Sequence, residues 1–241
     1  MGLKCNTKFK IRRKIIKISA IVLAAGSGSR MQSSKKKQFM EIKGKPLVWY
    51  SLFAFEKYGV DEIILVTGSE DIDFCKKEIV EKYNFTKVKD IVAGGKERYE
   101  SVYNGLKHIS GDIVLIHDGA RPVLTNEIIE RGINGAIKDN ACVVGVPVKD
   151  TIKIVNENNE VVDTPNRNTL WITQTPQCFK ATMIKEAYQK MMALNAENIT
   201  DDAMVMEQFG HAKVKFVEGD YKNIKVTTPE DISVVESFLQ D

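Results

Sequence analysis

The residues best suited to chemistry lie in one short stretch, Leu23-Ala-Ala-Gly-Ser-Gly-Ser-Arg-Met31, followed by Lys35-Lys-Lys-Gln38. Gly26 and Gly28 let backbone N–H groups wrap an anion with no Cβ in the way. Arg30 and Lys37 then add charge for phosphate oxygens, the first as a planar fork and the second as a point charge. Two better-known phosphate loops do not fit. The order G-x-x-x-x-G-K-[ST] is missing here, and Met31 stands where G-x-G-x-x-G needs its third glycine. Further along, Asp118 follows the apolar run Ile113–Ile116, where a carboxylate could hold Mg²⁺ directly or through water. The other reading of Asp118 is a turn or capping residue. His108, His117 and His211 show neither metal-ligand spacing nor a triad context, so none is assigned catalysis; His117 reads as a structural histidine beside Asp118.

Short apolar runs alternate with amphipathic segments along the chain. The runs predict strands at Ala20–Ala24, Glu62–Thr67, Val88–Val92, Asp112–Ile116, Ala141–Pro147 and Val214–Val217. Most are continuous rather than alternating, as in strands covered on both faces. Helices are predicted over 46–58, 71–83, 98–109, 125–139, 180–194, 201–209 and 229–240. The last has Thr228 as a cap, Pro229 at its first position, and Glu230 and Asp231 at its positive end. Repeated β-α-β order predicts an α/β fold with a mostly parallel sheet, whose ligands bind beyond the carboxyl ends of the strands. Residues 149–174 break the pattern. Thr151–Val155 and Glu160–Thr164 flank an Asn-rich turn and predict a β-hairpin. An isolated hairpin is marginal in water, so this one should rest on its own domain or on a second subunit.

With these elements in place, the motifs carry a resemblance. A-A-G-x-G-x-R-M followed by K-Q is similar to the signature of nucleotidylyltransferases that join an NTP to a sugar or polyol phosphate. The match continues through Gly94–Ser101, His117–Pro122, Val146–Thr151, Arg167–Trp171, Gln174–Gln177, Ile199–Asp201 and Asn223–Thr227. In order and over nearly everything after Ser19, the chain resembles the 2-C-methyl-D-erythritol 4-phosphate cytidylyltransferases of the non-mevalonate isoprenoid pathway. The resemblance implies a Rossmann-like sheet with helices on both faces and a protruding β-arm over about 149–174. It also implies a homodimer joined by that arm, and magnesium-dependent transfer of CMP from CTP to the polyol phosphate, releasing pyrophosphate. Arg30 and Lys37 match the family's transition-state stabilisers. Ala24, Ala25, Gly26, Gly28, Gly95, Ser101 and Gly119 match CTP-binding positions. Asp118 matches the metal carboxylate. Arg167, Lys225, Thr151, Thr175 and Thr200 match residues that position the methylerythritol phosphate, with Arg167 and Thr151 reaching into the partner's site. Asn166 departs from the pattern, since an Asp commonly precedes the arm arginine, and so does Lys96, where an acidic or small polar residue is usual. The alternatives are ribitol-5-phosphate cytidylyltransferase, with a similar loop and arm, and a non-catalytic nucleotide-binding protein of this fold.

Composition limits the remaining classes. The 241 residues, 43% hydrophobic with 16 Gly and 6 Pro, suit one soluble domain over 18–241. No apolar run approaches the roughly 18 residues of a membrane span. The net charge of +3 is an artefact of position, because residues 1–17 carry seven Lys/Arg and no acid. Past that basic leader, expected to be disordered, acids outnumber bases, which argues against general nucleic-acid binding. The leader lacks the apolar core and cleavage site of a signal peptide. Cys5, Cys75, Cys142 and Cys178 are widely spaced with no C-x-x-C, so reduced cysteines in a cytoplasmic protein are expected.

Overall fold

A computed structural model describes residues 10–11, 14–26, 36–194 and 196–239. Gly28 and Arg30, together with most of the basic leader, lie outside the described residues. The central sheet is built from β1 (Ile18–Ala24), β2 (Glu62–Thr67), β3 (Val88–Ala93), β4 (Ile113–Asp118), β5 (Ala141–Pro147), β6 (Trp171–Lys180) and β7 (Lys215–Glu218), in the order β7-β5-β6-β4-β1-β2-β3. Every neighbouring pair is parallel except those made by β6, which runs antiparallel to both β4 and β5.

The unbroken apolar runs have a direct cause. Successive side chains of a strand point to opposite faces, and here both faces are covered. Ala20, Val22, Ile63, Leu65 and Leu115 enter one core beneath α1 (Leu47–Tyr58) and α4 (Asn126–Asp139). Their neighbours Ile21, Ile64, Val66, Val114 and Ile116 enter the other, with α3 (Arg98–Leu106), α5 (Ala181–Ala193) and α6 (Asp202–Gln208). A smaller cluster joins Ala120, Val226 and Val235, the last from α7 (Glu230–Phe238). Each helix predicted from sequence is present. The one predicted over 71–83 begins as α2 (Ile72–Phe74) and continues as a π-helix, Cys75–Glu81. The start of α7 differs from expectation. The Asp231 carboxylate, not a Thr228 cap, collects the N–H groups of Thr227 and Thr228 at 2.7 and 2.9 Å.

β6 was not foreseen as a strand. Pro176 and its polar neighbours argue against a central strand. The proline is tolerated because the ladder breaks there: Thr173 pairs with Gly145, and the next pair is Gln177 with Val143. Gln174, Thr175 and Pro176, with a cis Thr175–Pro176 bond, form a bulge opposite Val144. Bulges of this kind re-aim side chains near active sites. In the segment predicted as a hairpin, Ile154–Val155 pairs antiparallel with Val161–Asp163, a shorter ladder than the expected one.

Candidate active site

β1 lies between β4 and β2, so the chain leaves it toward one edge of the sheet and later returns on the other side. The carboxyl ends of β1 and β4 therefore flank a topological switch point, the place where such sheets bind ligands. A cavity of about 410 Å³ opens there. Ala24, Ala25 and Gly26 line it from the end of β1, Lys37 from the following turn, Gly95 and Ser101 from the start of α3, and Asp118 and Lys225 from the opposite wall.

Close packing shapes the Gly94–Gly95 turn. A Cβ on Gly94 would fall 2.5 Å from the Ala25 Cβ, and one on Gly95 would fall 2.3 Å from the Glu100 Cβ. The Gly95 N–H donates to Ser101 Oγ at 3.0 Å, and the Ser101 hydroxyl donates to the Glu97 carbonyl at 3.2 Å. α3 then starts with a capping box in which Glu97 and Glu100 satisfy each other's backbone N–H groups. Lys96, one of the departures from the pattern, donates its backbone N–H to Glu100 Oε2 at 2.6 Å.

A second cavity, of about 310 Å³, lies against the bulge of β6. Thr175, Thr200, Gln174 and Arg121 line it, and Arg98, Asp118 and Lys225 line both cavities. That shared wall is an ion cluster. Asp118 Oδ2 receives Lys225 Nζ at 2.9 Å and faces Arg121 Nε at 3.7 Å, while Oδ1 faces Arg98 Nε at 3.4 Å. Burial opposes ionisation of Asp118, but Arg98, Lys225 and Arg121 outweigh it and hold the carboxyl far below the usual carboxylate range. Arg98 is also locked from behind by a bidentate pair with buried Asp202, at 2.9 and 2.8 Å. Tyr188 donates its hydroxyl to the same carboxylate at 2.6 Å. Burial disfavours the Arg98 charge, yet Asp202 and Asp118 raise its pKa well above the ordinary value.

The remaining predicted residues are placed as follows. Thr175 is buried, and its Oγ accepts the Asp118 N–H at 3.1 Å. Thr200 is not the cap of α6; Asp201 fills that position, accepting the Met204 N–H at 2.9 Å. Gly119 lines neither cavity. It makes a close approach to β1, where a Cβ would fall 2.9 Å from the Leu23 carbonyl oxygen. Arg167 and Thr151 line neither cavity of this chain. Arg167 donates to the Lys149 carbonyl at 2.8 Å. Asn166 supports its turn by accepting the Asn168 N–H at 3.1 Å. Arg98, Arg121 and Asp202 were not singled out by sequence reasoning. The available signal for Arg98 was an arginine at the first position of a helix, where a cation opposes the helix dipole and needs an anionic partner.

Comparison with known proteins decides the family. The family described as IspD, 2-C-methyl-D-erythritol 4-phosphate cytidylyltransferase, matches residues 18–241. The chain belongs to this family. A protein of that name from Alkaliphilus oremlandii is 50% identical over 229 residues, 94% of this chain and 96% of the relative. One from Clostridium botulinum is 50% identical over 227 residues, 93% of this chain and 98% of the relative. Among solved structures, the 4-diphosphocytidyl-2C-methyl-D-erythritol synthase of Anaerococcus prevotii superposes with a TM-score of 0.80 at 37% identity, covering 94% of this chain and 99% of its own. The Francisella tularensis cytidylyltransferase gives 0.77 at 28% identity, covering 92% and 100%. The ribitol phosphate alternative is not favoured by these relatives.

Proposed function

We propose that this chain transfers CMP from CTP to 2-C-methyl-D-erythritol 4-phosphate, releasing pyrophosphate, by in-line attack of the substrate phosphate on the α-phosphorus. The observation that carries the reading is a pair of adjoining cavities with one cationic wall between them. Two anionic reactants can approach each other only if their mutual repulsion is offset, and Arg98, Lys225 and Arg121 gather at the contact. Such transfers need no protein nucleophile; positioning and charge stabilisation supply the rate. In this reading the first cavity takes CTP. Backbone N–H groups around Ala24–Gly26, with Gly28, Arg30 and Lys37, hold its phosphates, and the Gly95 turn with Ser101 borders the base. The second cavity takes the polyol phosphate, with Thr175, Thr200, Arg121 and Lys225 around it.

Magnesium fits this arrangement. Asp118 is the carboxylate common to both cavities, and Mg²⁺ commonly takes one or two protein carboxylates and completes its shell with substrate phosphates and water. Among the described residues, no group of three or more His, Cys, Asp or Glu could hold a metal without that help. When bound, the ion would neutralise phosphate charge beside Asp118.

A homodimer is part of the proposal. Val161 and Val162 are 58% and 60% exposed, and exposed Trp171 stacks on exposed Phe216 at 5.2 Å. Val161 pairs with Val155, itself 48% exposed, and an exposed apolar ladder of this kind suits an interaction surface. Arg167 and Thr151 on the hairpin segment would then complete the partner's second cavity. A cytoplasmic location agrees with the free cysteines Cys75, Cys142 and Cys178. No helix among the described residues is long and apolar enough to cross a membrane.

The deciding experiment measures pyrophosphate release from CTP and Mg²⁺ with a panel of sugar and polyol phosphates, using Arg30→Ala as control. Turnover should be fastest with methylerythritol phosphate and collapse in the variant. Faster turnover of ribitol 5-phosphate, or no release with either, would overturn the assignment.

A further inference from the structure

One side chain in the first cavity has a hydrogen-bonding capacity that the protein itself leaves unused. Gln38 is 3% exposed, lines the cavity next to Lys37, and its Nε2 has no partner among the described residues. Its position is set by the backbone. The Phe39 N–H donates to the Lys36 carbonyl at 2.9 Å and the Met40 N–H to Lys37 at 3.1 Å, while the Phe39 ring packs edge-on against Phe74 at 4.9 Å. A buried amide donor without an acceptor is costly and is rarely kept without a reason. Acceptors around the Gly95 turn and at Asp118 already take other donors. Asp118 is held by three cations, Ser101 Oγ takes the Gly95 N–H, and Glu100 takes the N–H groups of Lys96 and Glu97. A ligand bound in this cavity can supply the missing acceptor.

We propose that Gln38 Nε2 donates a hydrogen bond to an oxygen of the bound nucleotide, making Gln38 a nucleotide-binding residue beside Lys37. The inference rests on the reading of this cavity as the CTP pocket. An unpaired donor in the empty protein loses nothing when replaced by an apolar group of similar shape, but the complex loses a bond. Affinity and stability should therefore part company. The donor would also favour an acceptor oxygen over a donor group at that point of the nucleotide.

The test titrates CTP with Mg²⁺, and separately inorganic tripolyphosphate with Mg²⁺, into the full chain, Gln38→Met and Gln38→Glu, and records melting without ligand. Gln38→Met should bind CTP about tenfold more weakly and melt no lower than the natural chain. Gln38→Glu should bind more weakly still, because an anion then faces the nucleotide. An equal loss toward tripolyphosphate supports the proposal and makes the acceptor a phosphate oxygen; a loss confined to CTP supports it and makes the acceptor part of the nucleoside. CTP binding by Gln38→Met within about twofold of the natural chain would overturn it, as would a matching fall in melting temperature, which would mark a structural role. Failure of the natural chain to bind CTP would instead overturn the reading of the cavity.

Discussion

Lys225 Nζ sits 2.9 Å from Asp118 Oδ2 on the wall that both cavities share. The lysine side chain is 38% exposed while the carboxylate is 10% exposed. The cation is thus the accessible member of the pair, free to exchange its partner for a phosphate, while Arg98 and Arg121 still neutralise Asp118.

Replacing Lys225 by Met should therefore cost activity far more than stability. By analogy with the loss of one oxyanion-hole donor, kcat/KM should fall about 10²–10³-fold, or roughly 3–4 kcal/mol. The melting temperature should barely move, since two cations remain on Asp118. Steady-state pyrophosphate release and a thermal melt measure both quantities. Near-normal turnover would remove Lys225 from the charge-stabilising set.

Arg98 and Asp202 call for the opposite balance. Asp202 is fully buried and receives two guanidinium N–H bonds and the Tyr188 hydroxyl. Asp202→Ala strips the half-buried Arg98 of its bidentate partner and leaves an orphan phenol, which should cost about 2–3 kcal/mol in urea unfolding, since Asp118 still faces the guanidinium. The double variant Arg98→Met, Asp202→Leu should recover much of that stability, because no buried charge is left unpaired. It should stay inactive, since Arg98 lines both cavities. Recovery of activity together with stability would show that the pair serves the fold alone.

The fold was legible in sequence where one physical cause dominated. Two-sided burial left continuous apolar runs in β1, β2, β4 and β5, while the edge strands β3 and β7 are more exposed and more mixed in sequence. β6 escaped because its middle, Gln174-Thr-Pro176, is a bulge against the second cavity, where a proline and polar residues hide a strand. The site divided in the same way. Asp118 and Lys37 could be seen because each stands beside a strand end or a glycine turn. Arg98 could not, since its partner Asp202 lies 104 residues away and only the packed sheet brings them together. Arg167 and Thr151 show the limit of a single chain, for the resemblance assigns them to a site that this chain's own cavities do not include.

His117 makes a prediction about pH. It is fully buried between Arg121 and Thr175. The Arg121 carbonyl can only accept, so Nε2 carries the proton and Nδ1 accepts from the Thr175 hydroxyl, at 3.1 and 2.9 Å. Burial pushes the imidazole down to about 4 from its ordinary 6.5. Between these values the unfolded chain binds a proton that the folded chain refuses. Stability is fully present above 6.5 and falls as pH drops toward 4, by about 3 kcal/mol in the limit. Urea midpoints from pH 7.5 to 5 should decline in the natural chain, while His117→Gln, although less stable, should show a shallower slope. Parallel curves would place the pH dependence in other groups.

Arg167 supplies the test of a shared site. Among the described residues its guanidinium donates to the Lys149 carbonyl, and Arg167 lines neither cavity. If it serves the partner's polyol phosphate, Arg167→Ala should raise KM for that substrate and leave CTP binding largely intact. Arg30→Ala should cripple transfer from its own chain's loop. Mixed after unfolding and refolding together and assayed at polyol phosphate well below the raised KM, the two impaired variants should regain activity, because half the dimers pair one of each and leave one site with both arginines. Random pairing predicts about a quarter of the natural rate. Refolded mixtures with no activity above either parent, while still dimeric by light scattering, would place both arginines on the same chain's site and end the shared-site reading.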